Sequence, residues 1–132
     1  MSQLDTIQSA VEAARGELVA LSHFVHAHPE MGYEEFESSA AVANALEAAG
    51  FTVERGIAGL ETAFRATKGS GALTIAFCAE FDALPDVGHA CGHNIIAASS
   101  VGAGIGLAAV ADEFDLTAVS YTHLTLPTIL RV

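Results

Sequence analysis

The sequence predicts an α/β domain, a mixed sheet covered by helices, and three observations point to it. Apolar residues recur every three or four positions over 3–28 and again over 34–49. The period then shortens to that of strands, ending in the apolar run "ALTIAFCAE". A last helical stretch follows that run. At 132 residues the chain is one domain's worth at most.

The first helix is read from Leu4, Ile7, Val11, Ala14, Leu18, Leu21 and Val25, an apolar stripe at helical spacing. Pro29 ends it, because proline disfavours helical geometry in the residue before it. The second helix, 34–49, carries Phe36, Ala40, Ala43 and Leu46 on one face. Its acidic start, Glu34, Glu35 and Glu37, suits the positive end of the helix dipole, and Gly50 is placed to close it in the left-handed region. Residues 51–55 and 62–67 read as short strands, separated by "GIAG", and "KGSG" makes a tight turn at 68–71. In "ALTIAFCAE" both alternating faces are apolar, Leu73, Ile75 and Phe77 against Ala76 and Cys78. Such a strand is expected in the middle of a sheet, covered on both sides. Asn94 is expected to cap a third helix over 95–111.

Composition excludes several functions. The net charge is -11 with only five Lys and Arg, so neither a phosphate backbone nor an anionic membrane surface is an expected partner. No basic and apolar leader opens the chain and no run of 18 apolar residues occurs, so a cytoplasmic location is expected. Two cysteines, Cys78 and Cys91, are too few for a disulfide framework and are expected to be reduced.

The chemistry concentrates in "FDALPDVGHACGHNIIAA", 81–98, after the apolar strand, where ligand sites collect in open α/β sheets. Cys91 and His93 flank one glycine. They can face a single ion only if the backbone bends tightly, which Gly92 permits. Sulfur and nitrogen donors suit zinc or a similar divalent ion. The same spacing also fits a buried cysteine beside a surface histidine. Glu80 and Asp82 precede the loop, and carboxylates near a metal either ligate it or orient its ligands and water. Asp82, at the end of the strand, fits that role or a cap on the turn "DALP". "GIGLAA", 104–109, matches a dinucleotide pattern, but it lies inside a helix rather than between strand and helix. Its glycines are expected to let that helix sit close to the sheet.

"FVHAHPEMGYEE", "AEFDALP" and "GHACGHN" occur in an order and spacing that resembles the amidohydrolase branch of metallopeptidase family twenty. That branch holds aminoacylases and hippurate hydrolases. The uninterrupted run from "DALP" into "GHACGHN" is most similar to the subgroup of β-alanyl-lysine-type dipeptidases. The resemblance covers about residues 15–118. It implies the N-terminal part of a metallo-aminopeptidase/phosphorylase-like catalytic domain, with the lid domain absent.

The implied activity is metal-dependent hydrolysis of N-acyl amino acids or small dipeptides by water activated on two divalent ions, zinc or manganese. Cys91 and His93 match the metal ligands, and Asp82 matches the orienting carboxylate. His89 is expected to hold the loop by a hydrogen bond. His26, His28 and Glu30 belong to a motif that packs the first helix near the site. The general base is implied to be a glutamate of a later Glu-Glu pair, whereas here "EE" occurs only at Glu34 and Glu35. The chain by itself is therefore expected to be inactive, to bind metal weakly and, with sheet edges exposed, to pack loosely or aggregate. A homodimeric parent is among the assemblies the resemblance allows. Two rivals stay open: a thiol hydrolase using Cys91 as nucleophile, and a non-catalytic binding or scaffold domain that keeps the loop.

"VSYTHLTLPT", 119–128, is the translation of GTC TCT TAT ACA CAT CTG ACG CTG CCG ACG. That string matches the transposon end and adapter used in preparing sequencing libraries. Residues 1–118 are thus expected to be the domain and 119–132 a foreign tail, which removes His123 from the candidate ligands. The alternative is an ordinary edge strand, for which "AVSYTHLTL" has suitable residues.

Overall fold

The computed structural model describes residues 1–122. Two helices, α1 (Gln3–Ala27) and α2 (Phe36–Ala48), precede strand β1 (Thr52–Arg55), a short 3-10 turn at Ile57–Gly59, and strands β2 (Phe64–Gly69) and β3 (Leu73–Cys78). Helix α3 (His93–Ala108) and strand β4 (Leu116–Tyr121) complete it. The sheet order is β1-β2-β4-β3, with β3 and β4 parallel and the other pairs antiparallel. The predicted α/β class and mixed sheet are what the structure has.

Helix α1 starts at a capping box. The Ser2 hydroxyl accepts from the Asp5 backbone N–H at 3.2 Å, and the Asp5 carboxylate accepts from the Ser2 backbone N–H at 2.8 Å. That backbone N–H, and then the Ser2 hydroxyl donating at 2.8 Å, favour the charged carboxylate and hold the Asp5 pKa below its ordinary value of 3.8. A depressed acid contributes stability that is present above its unfolded pKa and lost as the pH falls through the folded one. Loss of the N-cap in Ser2→Ala should lower stability by about 1 kcal/mol at neutral pH. Urea unfolding should show that difference shrinking below pH 4, and equal midpoints at pH 7 would contradict it.

Pro29 ends α1 as expected. Gly50 closes α2 at φ 85°, and the Lys68 ammonium donates to the Ala49 carbonyl at 2.8 Å beside that end. Successive strand residues point to opposite faces, and the register separates the two. Phe64, Ala66, Ala118 and Ser120 lie on the face packed against α2 and α3, and all four are fully buried. The opposite face carries Thr52, Glu54, Arg65, Thr67 and Thr74, none of them buried. Val25, Val42, Leu46, Phe51, Val101 and Phe81 complete the core under the helices.

Three expectations are corrected. First, β3 is an edge strand: Leu73 is 59% exposed, and among the described residues no strand pairs with its outer side. The central positions belong to β2 and β4. Composition alone sets how apolar a strand is, whereas cover depends on which segments lie beside it. Second, Asn94 does not cap α3. The helix begins two residues earlier, at His93 after Gly92, and Asn94 is buried with its amide donating to the Ser22 hydroxyl of α1 at 2.9 Å. Third, the α3 glycines serve helix packing more than contact with the sheet. A Cβ on Gly102 would meet Leu18 at 3.1 Å, and one on Gly106 would meet Ile7 and Val11 at 3.1 Å. Gly104 alone turns away from α1, toward Phe51.

Strand β4 contains Val119, Ser120 and Tyr121, so the expected boundary after residue 118 falls inside it. Strand pairing runs through backbone groups and accepts many side chains, especially β-branched and aromatic ones. His123 and the rest of 123–132 lie outside the described residues.

Candidate metal centre

The loop between β3 and α3 is built from three anchors. The Ala79 N–H donates to the Tyr121 carbonyl at 2.8 Å and prolongs the sheet by one rung. Phe81 is fully buried against Phe64, ring centroids 6.3 Å apart, so the side chains on either side of it are turned out of the core. The Ala83 N–H donates to the Glu30 carbonyl at 2.7 Å. Beyond this, Leu84 and Gly88 exchange two hydrogen bonds across "LPDVG". Gly92 turns the chain at φ 76°, as the spacing of Cys91 and His93 required.

Glu30 has a role that the sequence did not disclose. Its carboxylate accepts from the backbone N–H groups of Glu37 at 2.9 Å and Ser38 at 2.8 Å, at the start of α2. A charged acceptor there satisfies two orphan donors and meets the positive end of the helix dipole. Through its carbonyl the same residue fixes Ala83, so "HPE" ties α1, α2 and the loop together. Only a glutamate a few residues ahead of a helix hinted at this. His28 closes α1, with Nδ1 at 2.7 Å from the Phe24 carbonyl and its ring stacked on Phe24 at 4.1 Å. His26 lies 6.3 Å from His89, ring to ring.

His93, the first residue of α3, is partly buried, and its Nδ1 lies 2.8 Å from Asp82 Oδ1 and 2.9 Å from the Asp82 carbonyl. Both oxygens can only accept, so Nδ1 carries the hydrogen. Nε2, the other ring nitrogen, lies 3.8 Å from Glu80 Oε2. Asp82 thus meets His93 with both its carboxylate and its main-chain carbonyl. Cys91 is exposed and His93 is not, the reverse of the buried-cysteine alternative. His89 is buried, and neither ring nitrogen makes a hydrogen bond of good geometry, so the expected bond across the loop is not formed. Burial and then the neighbouring His26 push its pKa below 6.5, against a smaller opposing pull from the Val25 main chain. Cys78, at the end of β3, is pushed the other way by burial and by the Glu80 carboxylate, so its thiol resists ionisation.

Thiol, imidazole and carboxylate are the donors a borderline divalent ion selects. Among the described residues, no three His, Cys, Asp or Glu side chains converge as a group that would hold such an ion alone. The donors fit as part of a shell. Among the same residues no helix is long and apolar enough to cross a membrane.

No family model matches the chain. It is 35% identical over 118 residues to a p-aminobenzoyl-glutamate hydrolase of Escherichia coli, covering 76% of this chain and 24% of that protein. It is 40% identical over 114 residues to the Xaa-Arg dipeptidase of Mus musculus, covering 78% and 26%. A dinuclear metal-binding peptidase of the M20 family from Bacillus subtilis superposes with a TM-score of 0.72 at 27% identity, over 84% of this chain and 35% of that one. The chain spans about a quarter of the length of the curated relatives it matches.

Proposed function

The chain belongs to metallopeptidase family twenty, and from that premise we propose that it supplies part of the metal centre of an amidohydrolase whose substrates are N-acyl amino acids or small dipeptides. The observation that carries this reading is the Asp82–His93 contact on the Gly92 bend. It leaves Nε2 as the ring atom available to a metal. Cys91 and His93 are the proposed ligands, and Asp82 positions His93. In the whole enzyme two divalent ions would lower the pKa of a water and polarise the scissile carbonyl. This chain's residues hold and orient; the general base and the remaining ligands belong to the longer protein. The names of the relatives support the substrate class. One is named a p-aminobenzoyl-glutamate hydrolase and the other an Xaa-Arg dipeptidase. None of them points to thiol chemistry.

Zinc or manganese, a homodimeric parent and a cytoplasmic setting remain parts of the same proposal. So does the division into a domain over 1–118 and translated adapter over 119–132, which the ten-codon match supports. Resequencing the gene past codon 118 tests that division, and an uninterrupted genomic reading through "VSYTHLTLPT" would overturn it.

The activity is tested on the longer protein that carries this segment. Hydrolysis of N-acyl amino acids or dipeptides should fall to background with a chelator and return with a divalent ion. Turnover that resists chelation but is abolished by thiol alkylation would establish the Cys91 nucleophile instead. Stoichiometric absence of metal together with absence of turnover would leave the scaffold reading. The 132-residue chain alone should show no chelator-sensitive turnover.

A further inference from the structure

The two edges of the sheet are built differently. Strand β1 is four residues long and carries Glu54 and Arg55, which pair with Arg65 at 2.6 Å and Glu47 at 2.9 Å. A short, charged edge guards against pairing with another chain. Strand β3 is six residues, "LTIAFC", without charge, proline or glycine. Its Leu73 N–H donates to the Asp115 carbonyl, and beyond its end the Ala79 N–H donates to the Tyr121 carbonyl. Alternate residues between these two turn their main-chain groups the other way. Thr74, Ala76 and Cys78 therefore present N–H and C=O groups outward, and among the described residues no strand meets them.

Helix α3 leaves a second bare surface beside that edge. It carries no Asp, Glu, Lys or Arg, and a helix that is apolar all round is ordinarily covered all round. Yet Ile95, Ser99 and Ala103, successive turns of one face, are exposed, Ile95 at 62%. With Ile96, Phe77 and Cys78 they line a hollow of about 340 Å³ between α3 and β3. One occupant can fill both edge and hollow if it is an extended, uncharged segment with a free edge and apolar side chains toward the helices. Among the described strands only β3 itself has these properties. Strands β2 and β4 are paired on both sides, and β1 is charged. Leu73, Ile75 and Phe77 of β3 stand in register with Leu116, Ala118 and Ser120, on the face that bears the helices.

We infer that the chain forms a two-fold dimer in which β3 pairs antiparallel with β3 of a second copy. The two four-stranded sheets become one, and the exposed faces of the two α3 helices meet across the junction. A two-fold axis at Ala76 sets Thr74 opposite Cys78 of the second copy, so the outward main-chain groups bond to each other. It also keeps Leu73, Ile75 and Phe77 of both copies on the helix-bearing face. Residues 73–78 bring no charge to the junction, which matters in a chain of net charge -11. The contact is isologous and uses up both free edges, while the guarded β1 edges do not extend it, so assembly stops at two. This inference is independent of the metal reading.

Sedimentation velocity of the 132-residue chain under reducing conditions, over a concentration series, tests it. The wild-type chain should show a reversible monomer–dimer equilibrium with no larger species. Ala76→Pro removes an outward N–H that β4 does not use, a place where edge strands accept proline. It should weaken the dimer about tenfold or more, as losing one hydrogen bond from each copy does. Ala76→Lys sets like charges opposite each other and should act in the same direction, which covers the case that proline disturbs β3 itself. Ile95→Glu should weaken the dimer through the α3 face. Thr52→Lys, on the β1 edge, should dimerise like wild type. Circular dichroism of each variant should match wild type. Monomer at every concentration would overturn the inference and leave the β3 edge to the rest of the longer protein. Open-ended aggregation, or a dimer that both Ala76 variants leave intact, would overturn it as well.

Discussion

Phe81→Ala should cost the fold about 3–5 kcal/mol, the usual range for deleting a buried phenyl ring. Phe81 is fully buried, stacks on the equally buried Phe64 with ring planes 10° apart, and is flanked by Glu80 and Asp82. Removing it leaves a cavity directly under the site. A typical domain has only about 5–15 kcal/mol in total, so a large part of the chain should be unfolded without denaturant. Phe81→Leu keeps most of the volume and should cost less. Urea unfolding of the three proteins checks the order. A shift below about 1 kcal/mol for Phe81→Ala would mean that the site loop is not anchored through this ring.

Gly71→Ala is the second large effect, and it acts through the backbone. An added Cβ would overlap the carbonyl of Asp115 and the nitrogen of Leu116, where the chain enters β4. Gly71 also accepts from the Thr117 hydroxyl at 2.8 Å and donates to the Leu116 carbonyl at 3.3 Å, so the two segments cannot part without breaking both bonds. Overpacking commonly costs about 1–3 kcal/mol when side chains can yield; here main chain must move, and a loss of about 3 kcal/mol or more is expected. Gly102→Ala is the comparison. Its new methyl would meet the end of the Leu18 side chain, which can rotate, and alanine restores about 1 kcal/mol of helix propensity. Thermal melts should show Gly71→Ala strongly lowered and Gly102→Ala close to wild type. Equal melts for the two would refute the close approach of residues 71 and 115.

Much of the site is legible in the sequence because its determinants are local. A glycine between Cys91 and His93 implies a sharp bend whatever surrounds it, and Gly92 makes that bend at φ 76°. Gly50 likewise takes the left-handed conformation at the end of α2. Asp82 is marked by its place at the end of a strand, and in the structure its carboxylate meets His93. The sequence marks Glu80 only as one of two carboxylates ahead of the loop and Glu30 only as part of a motif near the first helix, because their contacts lie beyond their near neighbours. Those contacts are an imidazole beyond the loop for Glu80 and backbone donors of the next helix for Glu30. Asn94 escapes a local reading for the same reason, since its amide has a choice between its own helix start and Ser22 of α1.

By itself the sequence determined the helical and strand periods, the turns that need glycine, the acidic surface and the cluster of ligand-type residues in one loop. All of these depend on a residue and its near neighbours, where sterics, hydrogen-bond geometry and apolar spacing act within a few positions. The tertiary structure decided that β3 lies at an edge and β4 inside, that Gly102 and Gly106 meet α1, and that Glu80 faces His93. Burial and electrostatic pairing fall off over a few ångströms of space, so they follow from which distant segments the fold brings together.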